Sequence, residues 1–265
     1  MKTHTTRQAG LRWWLPVSLL VLLGAGVAHA GYVILTDGTK VEGELRVRRD
    51  GSVMITSGGS QRTIPANKVK QAVGDKPAKW DDAVAKMRAG KYDECIPLFQ
   101  DIANTSRGQS WDLRALRYVA ESQVRQGRPA EAVKVYEQLL KDMGDKADPD
   151  VRLGYFGALL KTGSYDKLDG ELDVFIRDGN REQAAKAQIM RGDINAARKQ
   201  WDNAVLDYMR TAILFESEKA VQPEALFKTA EAMEQLRDAR AKDYYKKVVD
   251  QYGSSEYAEK ARKKL

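Results

Sequence analysis

The sequence predicts a mainly α-helical solenoid of about five helical hairpins, preceded by a small antiparallel β-barrel or meander and a secretory signal segment. Three observations carry this. Turn segments recur at a nearly constant interval from residue 76 to the end. β-prone runs joined by Asp-Gly and Gly-Gly turns fill residues 31–75. The first thirty residues run from cations through an apolar stretch to small residues. The expected domains are therefore a signal peptide at 1–30, a β module at 31–75 and helical repeats at 76–265.

Lys2, Arg7 and Arg12 form a positive leader without acids, and Trp13 to Val27 is apolar apart from Pro16, Ser18, Gly24 and Gly26. Ala28-His29-Ala30 then sets small residues at −3 and −1 of a cleavage site before Gly31. The apolar run is shorter than the roughly 20 residues of a spanning helix, so cleavage is expected rather than anchoring. No cysteine follows the cut, which excludes a lipid anchor and makes the expected location the periplasm.

Composition narrows the chemistry. The chain has two histidines, His4 and His29, both inside the signal segment, and one cysteine, Cys95. A mature chain without histidine has no Ser-His-Asp or Cys-His catalysis and few routes to a zinc or haem site. One cysteine forms no intrachain disulfide or cysteine cluster. Adjacent acids such as Asp81-Asp82 and Asp93-Glu94 point in different directions on a helix. Asp145, Asp148 and Asp150 lack the spacing and closing Glu of an EF-hand loop. No catalytic residue, metal ligand or cofactor is assigned, and the expectation is a non-enzyme. Without the three leader cations, 41 basic residues face 37 acidic ones, and residues 237–265 alone hold nine against five. The rest of the mature chain is neutral, so nucleic acid is not an expected partner.

In the β module, Tyr32–Thr36 is β-prone and Asp37-Gly38 marks a hairpin. Val41, Gly43, Leu45 and Val47 alternate with Glu42, Glu44, Arg46 and Arg48, the pattern of a half-buried strand. Asp50-Gly51 and Gly58-Gly59 mark two further turns, and Lys68–Val73 supplies a closing strand. Gly43 in mid-strand predicts a sharp bend. This order of hairpins resembles the small SH3-like or Sm-like barrels of exported bacterial proteins.

From residue 76 the repeat shows in two registers. Cys95, Ala132, Leu168, Ala204 and Ala241 stand at intervals of 37, 36, 36 and 37, and four residues after each come Phe99, Tyr136, Leu172, Tyr208 and Tyr245. Matching chemistry at a fixed interval marks stacked helical hairpins. A small residue is needed where two helices approach closely, and the bulky residue one turn later fills the adjacent gap.

The segments Gly90-Lys91-Tyr92-Asp93-Glu94-Cys95 and Gly127-Arg128-Pro129-Ala130-Glu131-Ala132, with Gly163-Ser164-Tyr165 and with Gly192 and Trp201 of the fourth repeat, resemble the tetratricopeptide (TPR) family. The resemblance implies packing roles for Gly90, Cys95, Phe99, Gly127, Ala132, Tyr136, Gly163, Leu172, Gly192, Ala204, Tyr208, Ala241 and Tyr245. Leu172, in place of an aromatic, predicts a distorted third repeat. The stretch Tyr244–Ala258 is similar to the last repeat of bacterial envelope TPR proteins, the outer-membrane assembly lipoproteins and the coordinator of the Tol-Pal system, with Gly253 in place of their Pro. Gly253 is then expected to end a helix in the left-handed conformation, with Ser254 or Ser255 capping a closing helix.

Carrying the family's groove positions across gives a partner-binding stripe of Arg114, Arg117, Glu121 and Arg125 in the second repeat. The third repeat gives Leu153, Gly157, Leu160 and Lys161, and the fifth Leu226, Ala230 and Met233. The four second-repeat positions share one helix face. The expected function is a periplasmic scaffold for a protein partner of the cell envelope. The alternative is a structural envelope protein that self-associates or binds cell-wall polymer. Membrane contact is expected only through an uncleaved signal segment.

Overall fold

The computed structural model describes residues 31–144 and 147–265, so the signal-peptide reading lies outside the described residues. Six strands come first: β1 (Tyr32–Leu35), β2 (Lys40–Glu42), β3 (Glu44–Val47), β4 (Val53–Ser57), β5 (Ser60–Ile64) and β6 (Val69–Val73), with a 3₁₀ turn at Ala66–Lys68 before the last. The turns follow from local chemistry. Asp37 accepts a hydrogen bond from Thr39 N (2.8 Å) and Asp50 from Ser52 N (2.9 Å), each bending the chain beside a glycine with positive φ. Strand alternation turns Val33, Leu35, Leu45, Val53, Ile55, Ile64 and Ala72 into one core.

The strands form two antiparallel three-stranded sheets, ordered β2-β1-β6 and β3-β4-β5. The expected long second strand is split at Gly43 (φ +155°), where an added Cβ would press on Thr56 O and lie 2.9 Å from Ile55 Cγ1. The expected barrel does not close: the strands stay in two separate sheets, and the end of β6 meets the segment before α3. Ser110 Oγ donates to Ala72 O (2.8 Å) and Gly74 N to Gln109 O (3.3 Å).

The helices are α1 (Trp80–Arg88), α2 (Tyr92–Thr105), α3 (Trp111–Arg125), α4 (Pro129–Met143), α5 (Pro149–Thr162), α6 (Tyr165–Asp178), α7 (Arg181–Ala197), α8 (Trp201–Leu214), α9 (Gln222–Gln235), α10 (Ala241–Gln251) and α11 (Glu256–Arg262). The first ten pair into five successive hairpins, each helix packing mainly on its chain neighbours, and α11 lies against α9 and α10. Several starts are written locally. Pro129 and Pro149 open α4 and α5, Asn180 and Gln183 form a reciprocal capping box on α7, and Ser255 Oγ accepts from Ala258 N at 3.1 Å to cap α11. Gly253 is not left-handed; Tyr252 ends α10 with φ −133°.

The third hairpin departs from the others. α5 is buried almost all round, through Val151, Leu153, Tyr155, Phe156, Ala158 and Leu159, and it packs on α7 as well as on α4 and α6. α6 fully buries only Leu168 and Leu172. Phe156 and Phe175 meet 5.3 Å apart, edge to face, in the same core as Leu172.

Each hairpin turns at one residue with positive φ: Gly90, Gly127, Gly163, Lys199 (φ 58°) and Arg237 (φ 57°). A Cβ in this conformation crowds the following carbonyl, and glycine escapes the cost. Lys199→Gly and Arg237→Gly are each expected to stabilise the protein by about 0.5–1 kcal/mol, net of glycine's extra unfolded-state entropy. Urea denaturation checks this, and a loss of stability at both sites would remove the strain argument.

Candidate functional site

The two halves of the molecule meet at the start of α3. Trp111 Nε1 donates to Gly74 O at 2.8 Å, and an added Cβ at Gly108 would lie 2.7 Å from Val47 Cγ1. Trp111 therefore ties the β module to the helices. Its other face belongs to a cleft of about 480 Å³ bordered by the first helices of three hairpins, α1, α3 and α5.

Aromatic side chains form the wall of this cleft. Trp80 meets Trp111 at 4.9 Å and Tyr118 at 5.3 Å, both edge to face, and Tyr118 stacks on the buried Phe99 at 5.0 Å. Leu113, Met143 and Val151 complete the apolar lining. Two cations lie over the aromatics: Arg114 sits 5.1 Å from the Trp111 ring and Arg117 5.4 Å from the Tyr118 ring. Asp148 is the one acid in the lining, and it caps α5 by accepting from Asp150 N at 2.9 Å.

Arg117 and Glu121 form an ion pair at 3.5 Å, too loose for a hydrogen bond, and Arg117 Nε is buried with no hydrogen-bond partner. Burial raises the Glu121 carboxyl above its usual range, and Arg117 and Arg125 only partly offset it. Arg125 is exposed at the end of α3.

The remaining groove positions divide. Lys161 is exposed in the last turn of α5, Leu160 is half-buried against the central core, and Gly157 faces open space. Leu153, Leu226, Ala230 and Met233 are core residues, which corrects their placement in a partner-binding groove. Leu226, Ala230 and Met233 pack with Ala241, Tyr245, Val248, Ala258 and Ala261, because α10 and α11 cover that stripe of α9.

Cys95, Phe99, Ala132, Tyr136, Leu172, Ala204, Tyr208, Ala241 and Tyr245 are buried inside the hairpins. Gly192 lies against Tyr208, where an added Cβ would sit 2.6 Å from Cδ1. Gly90, Gly127 and Gly163 do not make close helix contacts. They are left-handed turn residues, and an added Cβ would meet nothing nearer than 4.0 Å.

A buried polar cluster between α7 and α8 has no counterpart in the sequence reading. Asp207, 4% exposed, accepts from Gln188 Nε2 (2.8 Å), Asn195 Nδ2 (2.7 Å) and Arg210 Nη1 (2.7 Å), with Arg191 Nε at 3.3 Å. Nearby, Lys228 bridges Asp193 (2.8 Å) and Glu224 (2.7 Å). Burial works against the Lys228 charge, but the two carboxylates hold its pKa above the ordinary value. These charges are matched inside the protein. Among the described residues no group of three or more His, Cys, Asp or Glu is arranged to hold a metal ion. Cys95 is enclosed, with Sγ 3.4 Å from Ser122 Oγ.

Residues 114–142 and 224–255 match the family model of the tetratricopeptide repeat. These two segments are similar to tetratricopeptide repeats. The matched segments span α3–α4 and α9–α10, the second and fifth hairpins, so the first-named arginines of the cleft lie on a matched repeat. A solved structure titled "MamA MSR-1 C2" is similar at a TM-score of 0.46 and 14% identity, covering 66% of this chain and 96% of that chain. No curated protein matches the chain. Tetratricopeptide hairpins are an interaction architecture, and a protein–protein scaffold is the functional class they support.

Proposed function

We propose that this protein is a non-catalytic scaffold of the cell envelope, exported to the periplasm, that holds a protein partner against the face formed by α1, α3 and α5. One observation carries the reading. A cleft lined by Trp80, Trp111, Tyr118, Leu113, Met143 and Val151 opens on the first helices of three consecutive hairpins. Half-exposed aromatics beside arginine are the composition of binding hot spots. The envelope location rests on the leader-like first thirty residues and on the resemblance of Tyr244–Ala258 to envelope repeats. The β module is read as an SH3-like unit, supported by two three-stranded sheets joined at the Gly43 bend and a 3₁₀ turn before the last strand. Its role in this reading is to cover the first hairpin and fix Trp111.

Affinity capture from the envelope fraction of the source organism tests the proposal. The expected result is one dominant protein, lost on Arg114→Glu plus Arg117→Glu while the melting temperature holds. Retention of wall polymer alone, or of further copies of the chain alone, would replace the scaffold by the structural alternative.

A further inference from the structure

We infer that the outer face of α8 docks on the same face of a second copy of this chain, with a two-fold axis running along the helix. The contact does not use the cleft, so it stands or falls apart from the scaffold reading.

The repeat register singles out α8. Two and nine residues after the buried register position, the second helix of each hairpin turns a side chain outward. On α2 and α4 these are Pro97, Asn104, Lys134 and Lys141, all exposed. On α6 and α10 they are Gly170, Arg177, Asp243 and Asp250, again all exposed. On α8 they are Leu206 and Ile213, 53% and 64% exposed. Seven residues apart, the two share one face about 10 Å long. Met209 lies between them, half-buried, with its Sδ 4.0 Å from the Tyr244 hydroxyl. Arg210 adds no free charge there, because it turns back to Asp207 at 2.7 Å. A pair of large apolar side chains at positions where no other hairpin has one marks a contact surface.

The flanking helices say what covers it. One, five and nine residues after the register position, α6 carries Asp169, Asp173 and Arg177. At the same steps α10 carries Lys242, Lys246 and Asp250, the opposite sign each time. α8, the second helix of the hairpin between them, has Val205, Met209 and Ile213 there. A two-fold axis along α8 lays α6 of each copy over α10 of the other, with the helices running the same way. In such a contact residue i meets j and j meets i. Asp169 then faces Lys242, Asp173 faces Lys246 and Arg177 faces Asp250, once on each flank, while Leu206 and Ile213 meet their own counterparts on the axis. An antiparallel pairing would instead set Asp173 on Asp173 and Lys246 on Lys246.

The charges are available. Among the described residues Lys242, Lys246 and Asp250 make no ion pair. Arg177 pairs with its chain neighbour Asp178, an exposed pair that holds it weakly. Asp169 and Asp173 meet Arg198 and Arg191 through one carboxylate oxygen each, and a carboxylate accepts from more than one donor.

Sedimentation velocity of the purified protein over a concentration series tests the inference. The expected result is a monomer–dimer equilibrium in the micromolar range, the strength of a small interface. Leu206→Glu plus Ile213→Glu is expected to weaken it at least tenfold without lowering the melting temperature, since both side chains are exposed in the single chain. Arg177→Asp and Asp250→Arg are each expected to weaken it about tenfold, because each acts twice in a two-fold dimer. The two together are expected to recover most of the loss. Lys134→Glu, on α4, is expected to change nothing.

A monomer at every concentration would overturn the inference, and so would a dimer indifferent to Leu206→Glu plus Ile213→Glu. Failure of the double charge reversal to recover the dimer would overturn the parallel arrangement on which the argument stands. If the protein is monomeric and Leu206→Glu plus Ile213→Glu abolishes capture of the envelope protein, that protein occupies the face and the second copy does not. If the dimer fails while Arg114→Glu plus Arg117→Glu still abolishes capture, the scaffold reading stands alone.

Discussion

Asp207→Ala is expected to destabilise the protein by about 3 kcal/mol, with the loss concentrated in α7 and α8. Asp207 sits at the centre of the fourth hairpin and receives hydrogen bonds from Gln188, Asn195 and Arg210. Removing the carboxylate leaves the buried Gln188 and the half-buried Arg191 facing each other without their shared acceptor. Breaking one side of a buried charged network costs more than the network contributes, because the partners stay desolvated. Asp207→Asn keeps the shape and one acceptor oxygen, and its expected cost is about 1–2 kcal/mol. Asp250→Ala, at an exposed site on α10, is expected to stay within about 0.5 kcal/mol of wild type. Urea denaturation ranks the three. Amide exchange locates the loss, since repeat arrays unfold by neighbouring units rather than all at once. If Asp207→Ala proved as mild as Asp250→Ala, the cluster would be solvated and not structural.

The same cluster shows where sequence reading stops. The hairpins were legible because a small residue followed by a bulky one recurs at a fixed interval, and those positions face the helix contacts: Cys95 and Phe99, Ala132 and Tyr136, Ala204 and Tyr208. Asp207 was not legible. An acid on a charged helix reads as solvated, and only the meeting of α7 with α8 encloses it. Leu226 and Met233 failed for a related reason. Their spacing on α9 matches the open stripe of α3, but α11 closes over the last hairpin and turns that stripe into core. Gly90, Gly127 and Gly163 stand where the repeat pattern expects close packing, yet their work is conformational, as the positive φ of Lys199 and Arg237 at the equivalent turns makes plain. In the cleft, Arg114 and Arg117 were named by carrying over the groove positions of the family that the repeats resemble, and the structure places both in the lining. Trp80, from another helix, and the tie between Trp111 and Gly74, from another domain, needed the tertiary structure.

Gly192→Val is expected to destabilise by about 3 kcal/mol, because the space its side chain needs is held by a ring that cannot move away. An added Cβ would lie 2.6 Å from Tyr208 Cδ1 and 3.0 Å from Cζ. Tyr208 is anchored at its far end, donating to Asp193 Oδ1 at 2.7 Å, and Asp193 is anchored in turn by Lys228 at 2.8 Å. Rotating the ring to admit a methyl group would break a chain of contacts joining α7, α8 and α9. Gly157 is the internal comparison. It is also in a helix, on α5, but an added Cβ there meets nothing within 4 Å. Gly157→Ala is expected to stabilise by about 0.5–1 kcal/mol through helix propensity alone. A double-mutant cycle isolates the steric part: in a Tyr208→Ala background the cost of Gly192→Val is expected to fall below about 1 kcal/mol, since the cavity accepts the valine. If the cost stays near 3 kcal/mol without the ring, backbone distortion rather than contact with Tyr208 is responsible. The fourth hairpin would then owe its geometry to something other than the glycine–aromatic fit.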